Sequence, residues 1–117
     1  KPCFDLPEEH PDFGQNIAAY YFWLHPGLML NFYPWGLSVN LVIPESVAKT
    51  RIVYHGFVGD SAMLAKGAGG DLDKVEAEDQ FIVEGCQKGV SSVAYERGRY
   101  SPTKEVGVHH FHRILTQ

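Results

Sequence analysis

Four extended runs, each parted from the next by only a few turn-forming residues, constrain this chain more than anything else in it. They cover about 17–24 (IAAYYFWL), 28–33 (LMLNFY), 36–43 (GLSVNLVI) and 50–58 (TRIVYHGFV) and are rich in β-branched and aromatic residues. His25-Pro26-Gly27, Pro34-Trp35-Gly36 and Pro44-Glu45-Ser46 supply the turns between them. A parallel crossover takes roughly a dozen residues or more, so gaps this short dictate antiparallel pairing of neighbours.

Side chains along a strand alternate between the two faces of a sheet. Val39, Leu41 and Ile43 therefore share one face, and Ser38, Asn40 and Val42 share the other. In the last run Ile52 and Tyr54 alternate with Arg51, Val53, His55 and Phe57. One face of the sheet is more polar than the other, and Met29, Asn31, Asn40 and His55 are assigned to it as candidates for a substrate pocket.

After Asp60 the character changes. Residues 61–70 (SAMLAKGAGG) predict a turn of helix followed by a glycine hinge. A helix is expected over 71–88, with Asp71 as N-cap and Gly89 as stop, and another over roughly 105–115. Residues 1–16 hold Pro2, Pro7, Pro11 and Gly14 among charges and are linker-like. The fold class is α+β, with an antiparallel sheet followed by C-terminal helices, and 117 residues suit a single domain.

One acid stands out on the longer helix. At about 100° per residue, Leu72 and Cys86 fall within ~20° of Asp79, Val75 and Val83 within ~40°, and Ile82 at ~60°. Asp79 thus lies in the middle of an apolar stripe and is expected to be buried. An ionised carboxylate in an apolar interior is very unfavourable unless something compensates. Protonation, a buried Arg or Lys, a hydrogen-bond network or a metal ion would each serve, and a cation neutralises the charge where it lies.

Other motifs carry less. His109 and His112, in Val108-His109-His110-Phe111-His112, are three apart on a helix and could share an ion, but no third ligand stands at a suitable spacing. Val108, Phe111, His112 and Leu115 form its expected inward face. Cys3 and Cys86 lack any CxxC spacing and suit reduced thiols in a cytoplasmic protein. There is no Walker loop, GxGxxG or GxSxG. The net charge of −4 and scattered Lys and Arg argue against nucleic acid, and no apolar run approaches the roughly 20 residues of a membrane span.

Four stretches taken together resemble one family. They are PGLMLNFYPWGLSVNLVIP (26–44), TRIVYHGFVGD (50–60), EDQFIVEGCQKGVSS (78–92) and YERGRYSPTKEVGVHHFHRIL (95–115). In this order they are similar to the C-terminal part of the catalytic domain of Rieske-type non-haem iron ring-hydroxylating oxygenase α-subunits, nearest the choline- and betaine-oxidising branch. His25-Pro26-Gly27 stands where members often carry Phe-Pro-Asn. The resemblance implies an incomplete helix-grip fold and a mononuclear Fe(II) held by two histidines and a carboxylate, the carboxylate mapping onto Asp79. It implies a [2Fe–2S] cluster, an electron-donating reductase or ferredoxin, a small organic substrate with O2, and a homotrimer.

The chain contains neither the His-x4-His pair nor the Cys-x-His…Cys-x-x-His pattern of the cluster. Both are expected upstream of Lys1, because the sequence reads as though entered midway. The chain alone is therefore expected to be inactive. Two other readings compete. One is a non-enzymatic helix-grip module that binds a small molecule; the other is a structural remnant that dimerises through sheet edges.

Overall fold

The computed structural model describes residues 4–117. Lys1, Pro2 and Cys3 lie outside the described residues. The four strands are β1 (Tyr20–Leu24), β2 (Leu28–Tyr33), β3 (Gly36–Ser46) and β4 (Lys49–Val58). They form one sheet in the order β1-β2-β3-β4, with every pair antiparallel. The short connections force this meander, as expected.

Two strand ends differ from the sequence reading. β1 begins at Tyr20, which faces Phe32; the chain turns at Pro34, so residues 17–19 have no extended partner. β3 runs through Pro44, and the turn comes only between Ser46 and Lys49. A register shift between Pro44 and Ser46 accommodates the proline, which brings no N–H to the ladder. The Glu45 carboxylate meets Lys49 Nζ at 2.8 Å and Arg51 Nε at 3.0 Å, which ties the two arms together.

The register sorts the side chains into two faces. Tyr21, Asn31, Ser38 and Gly56 make one row across the strands, and Trp23, Met29, Asn40 and Tyr54 make the next. Phe22, Leu30, Val39 and His55 lie on the opposite face. The polar face is the one that becomes buried: Asn31, Ser38 and Asn40 are each nearly inaccessible, with Tyr33 and Trp35 beside them. On the other face Phe22, Phe32 and Phe57 remain exposed.

Residues 4–16 contain neither helix nor strand. They are held by backbone hydrogen bonds from His10 to Pro7 and from Phe13 to His10, and by the Tyr20 hydroxyl donating to Asp12 at 2.9 Å. A 3-10 turn at Ser61–Met63 follows the sheet, capped by Asp60, which accepts from the Ala62 N–H at 2.9 Å.

The helix α1 spans Leu72–Val90 and α2 spans Val106–Leu115. Val75 N donates to the Asp71 carbonyl, so α1 starts where the sequence placed its cap. It runs through Gly89 rather than stopping there, and the Ser91 hydroxyl then takes up the Gln87 carbonyl at 2.8 Å. The chain divides into two compact units, residues 1–79 and 80–117. The α+β class holds, and none of the helices among the described residues is long and apolar enough to cross a membrane.

Candidate functional site

The site candidates of the first unit gather on the polar face of the sheet. Met29 lies directly opposite Asn40, and Asn31 lies opposite Ser38. The Ser38 hydroxyl donates to Asn40 Oδ1 at 2.9 Å. A serine has a single hydroxyl proton, so Asn31 Oδ1 receives none from it and is buried without a partner. An unmatched buried acceptor is disfavoured by roughly 1–3 kcal/mol, so this face carries unused hydrogen-bonding capacity.

His55 does not join this group. It pairs with Val39, so it stands on the opposite face and is exposed. The parity of β4 relative to β3 depends on the hairpin turn and on any bulge beside it. Counted from the Ser46–Lys49 pair alone, His55 would fall opposite Asn40; the register shift between Pro44 and Ser46 moves the pairing by one residue and puts Tyr54 there.

Tyr54 and Glu76 are site residues that sequence reasoning passed over. The Glu76 carboxylate lies close enough to the Tyr54 hydroxyl to raise its pKa. Desolvation chiefly, then the neighbouring Glu76 carboxylate and the charge of Asp79, push the Tyr54 phenol up to about 12. Burial also raises the Tyr33 phenol, with smaller contributions from Tyr21 and Glu76. Glu76 therefore lies over the polar face, within reach of two of its tyrosines. The available signal was its place at the edge of the α1 apolar stripe, one helical turn before Asp79.

Asp79 is exposed, which corrects the expectation of burial. The stripe around it is exposed as well: Val75 is 48%, Ile82 61% and Val83 65% accessible. The pattern was read correctly, but the burial it implies needs a covering surface that the described residues do not supply. Among the described residues Asp79 takes part in no hydrogen bond or ion pair, so both its oxygens are open. An open carboxylate is a fitting donor for a divalent iron. No group of three or more His, Cys, Asp or Glu among the described residues is placed to hold a metal ion.

In the second unit the histidines of α2 have an organic partner. The Tyr100 hydroxyl bonds His112 Nδ1, and the Tyr100 ring lies 4.9 Å from the His109 ring. The Glu105 carboxylate accepts from the Ser101 N–H at 2.5 Å just before the helix begins. Phe111 and Ile114 are half-buried, whereas Val108, His112 and Leu115 are exposed, so the expected inward face is not buried. Cys86 is an exposed free thiol.

A groove of about 490 Å³ opens at the Tyr33–Gly36 end of the sheet, lined by Phe4, Phe32, Leu37, Phe57 and Asp60 among others. None of the candidates Met29, Asn31, Asn40, His55 or Asp79 lines it.

Comparison with known proteins identifies the architecture these residues belong to. The ring hydroxylating alpha subunit (catalytic domain) family matches residues 5–117. The chain belongs to that family. Among its relatives is a chloroplastic choline monooxygenase of Arabidopsis thaliana, 35% identical over 102 residues, covering 83% of this chain and 24% of the relative. The chloroplastic choline monooxygenase of Atriplex hortensis is 32% identical over 108 residues, covering 87% and 24%. That of Spinacia oleracea is 31% identical over the same length and the same shares. The chain thus spans about a quarter of the curated relatives it matches. No solved structure matches it.

Proposed function

We propose that this chain is the part of a Rieske-type oxygenase catalytic domain that supplies the carboxylate ligand, Asp79, to a mononuclear iron. The observation that carries the reading is the unpartnered Asp79 carboxylate on α1, within electrostatic reach of Tyr54 on the polar sheet face. When bound, Fe(II) with two histidines and one carboxylate would supply O2 activation at coordination positions left open to dioxygen and substrate. The two histidines and the [2Fe–2S] cluster would come from other parts of the protein. Electrons would come from a reductase or ferredoxin, and the working assembly would be a homotrimer of helix-grip domains.

The residues of this chain have separable tasks. Asp79 presents an anionic oxygen donor. Met29, Asn31 and Asn40 form the floor on which a small organic substrate rests, with Tyr54 at the end of the same row. The Asn31 carboxamide is the group with hydrogen-bonding capacity to spare. The reaction is O2-dependent hydroxylation or oxidative demethylation. The names of the relatives favour choline or a similar small quaternary ammonium compound as substrate.

The test is Asp79→Asn in the intact protein. The amide keeps size and shape and removes the anionic donor. Outer-shell changes at metal sites already lower affinity or activity by about 10–100-fold, so loss of the ligand itself should exceed ~100-fold in product formation and empty the mononuclear site. Full iron content and turnover in Asp79→Asn would reject the assignment. Tight binding of a quaternary ammonium compound by an intact wild-type protein that retains no iron would instead favour the binding-module reading.

A further inference from the structure

The glycine segment between the sheet and α1 is packed against the sheet at Gly69. Tyr33 and Trp35 stack with ring centroids 5.2 Å apart and planes 11° from parallel, and both are buried. Gly69 lies directly on this stack. A Cβ built on it would stand 2.6 Å from Trp35 Nε1, 2.8 Å from Tyr33 Cδ1 and 2.9 Å from Tyr33 Cγ. These are ring atoms of packed side chains, which cannot swing aside as a flexible chain end can. Gly69 also has φ +78°, a conformation that side-chain-bearing residues rarely adopt. Only glycine satisfies both demands.

The contact matters because of its place in the chain. Gly70 and Asp71 alone separate Gly69 from the first residue of α1, and the Gly70 N–H is fixed on the Gly67 carbonyl at 3.2 Å. From Leu72 the helix is a rigid rod rising about 1.5 Å per residue, so Asp79 stands roughly 10 Å along its axis. Glu76, one turn before Asp79, is near enough to Tyr54 of the polar face to raise its phenol.

We propose that Gly69, seated on the Tyr33–Trp35 stack, is a positioning residue that sets where α1 starts on the polar face and thereby where Asp79 presents its carboxylate. This rests on the reading of Asp79 as a metal ligand. It makes the stack, remote from Asp79 in sequence, part of the machinery that aims the ligand.

Gly67 provides a matched control. Its φ of +70° is nearly that of Gly69, but a Cβ there would meet nothing within 4 Å. Alanine at either position strains the backbone alike, and only Gly69→Ala drives a methyl into the stack. The experiment uses the intact protein stripped of its mononuclear metal and titrated with Co(II), whose visible spectrum reports ligand geometry. Gly67→Ala, Gly69→Ala and Asp79→Asn are compared with wild type for Co(II) affinity, spectrum, thermal midpoint and kcat.

Both glycine variants should melt somewhat earlier. Gly69→Ala alone should bind Co(II) at least ~10-fold more weakly with an altered spectrum. Its kcat should fall by about 100-fold, the size of effect that a misplacement near 1 Å produces. Equal Co(II) affinity and spectra for the two glycine variants would overturn the positioning role. If Asp79→Asn itself binds Co(II) as wild type does, the ligand reading falls, and this inference with it. Should Gly69→Ala not fold, one glycine inserted between Gly70 and Asp71 leaves the seat intact while freeing the helix start. Weakened Co(II) binding by that insertion supports the role, and unchanged binding overturns it.

Discussion

Every buried residue among those described lies between Asn31 and Asn40, whereas no residue from Gln80 to Gln117 is buried. The sheet is organised by cross-strand pairing, each strand fixing the next and the β2–β3 pair holding the core. The second unit is organised by neighbours. Gln80 donates to Glu84, Ser91 to Gln87, the Ser101 N–H to Glu105, and Tyr100 reaches His112. Side-chain pairs one helical turn apart contribute only about 0.2–0.5 kcal/mol each, and a helix as short as α2 is marginal without tertiary packing. Exposed Phe81, Ile82, Val83 and Val106 are the apolar surface that such packing would use. The two regions therefore differ in what their stability depends on.

The most severe test of this contrast is Trp35→Ala. Trp35 is 2% exposed and stacked on Tyr33. Its truncation should destabilise the sheet by about 3–5 kcal/mol in urea melts. A loss under ~1 kcal/mol would mean that the Asn31–Asn40 segment is not the core. Glu105→Ala should act more weakly and in the other region. Removing the acceptor of the Ser101 N–H should cost about 1 kcal/mol of local stability. It should be visible as faster amide exchange in Val106–Leu115 and unchanged exchange in β2 and β3. Equal change in both regions would show that they unfold as one.

A third test concerns the tyrosine that joins the sheet face to α1. The Tyr54 phenol is raised from an ordinary 10 to about 12, so the folded state favours its protonated form. The corresponding stability is fully present below pH ~10 and is lost as pH rises through about 12. Stability between those limits should fall less steeply in Tyr54→Phe than in wild type, measured by urea melts at stepped pH with ultraviolet titration of the phenols. Parallel curves would remove Tyr54 from the contact. The smallest effect is expected for Asp79→Asn in the isolated 117-residue chain. An exposed carboxylate without partners should change stability by less than ~0.5 kcal/mol. A loss above ~2 kcal/mol would reveal a structural ion pair.

The strands and helices were legible because their signals are local. Alternation over 36–43, turn residues between runs and the Asp71–Gly89 bracket placed every element to within a few residues. Face assignment was legible only within a strand. His55 was misplaced because parity between β3 and β4 hangs on the one-residue register shift between Pro44 and Ser46, which alternation within each strand does not reveal. Asp79 was singled out by its angle on α1, yet its burial is a property of whatever covers the stripe, which no helical wheel contains. The seat of Gly69 on Tyr33 and Trp35 joins residues more than thirty positions apart, and nothing local distinguishes Gly69 from Gly67.

The β3–β4 hairpin has a practical use. Glu45, gripped by Lys49 and Arg51, closes the sheet just below the tip, and Val47 beyond it is fully exposed. A fluorophore attached at Val47, or a short epitope inserted beside it, would project outside the ladder without disturbing a paired residue. That loop is accordingly the place from which to track this domain during folding, leaving the Asn31 row and α1 unlabelled.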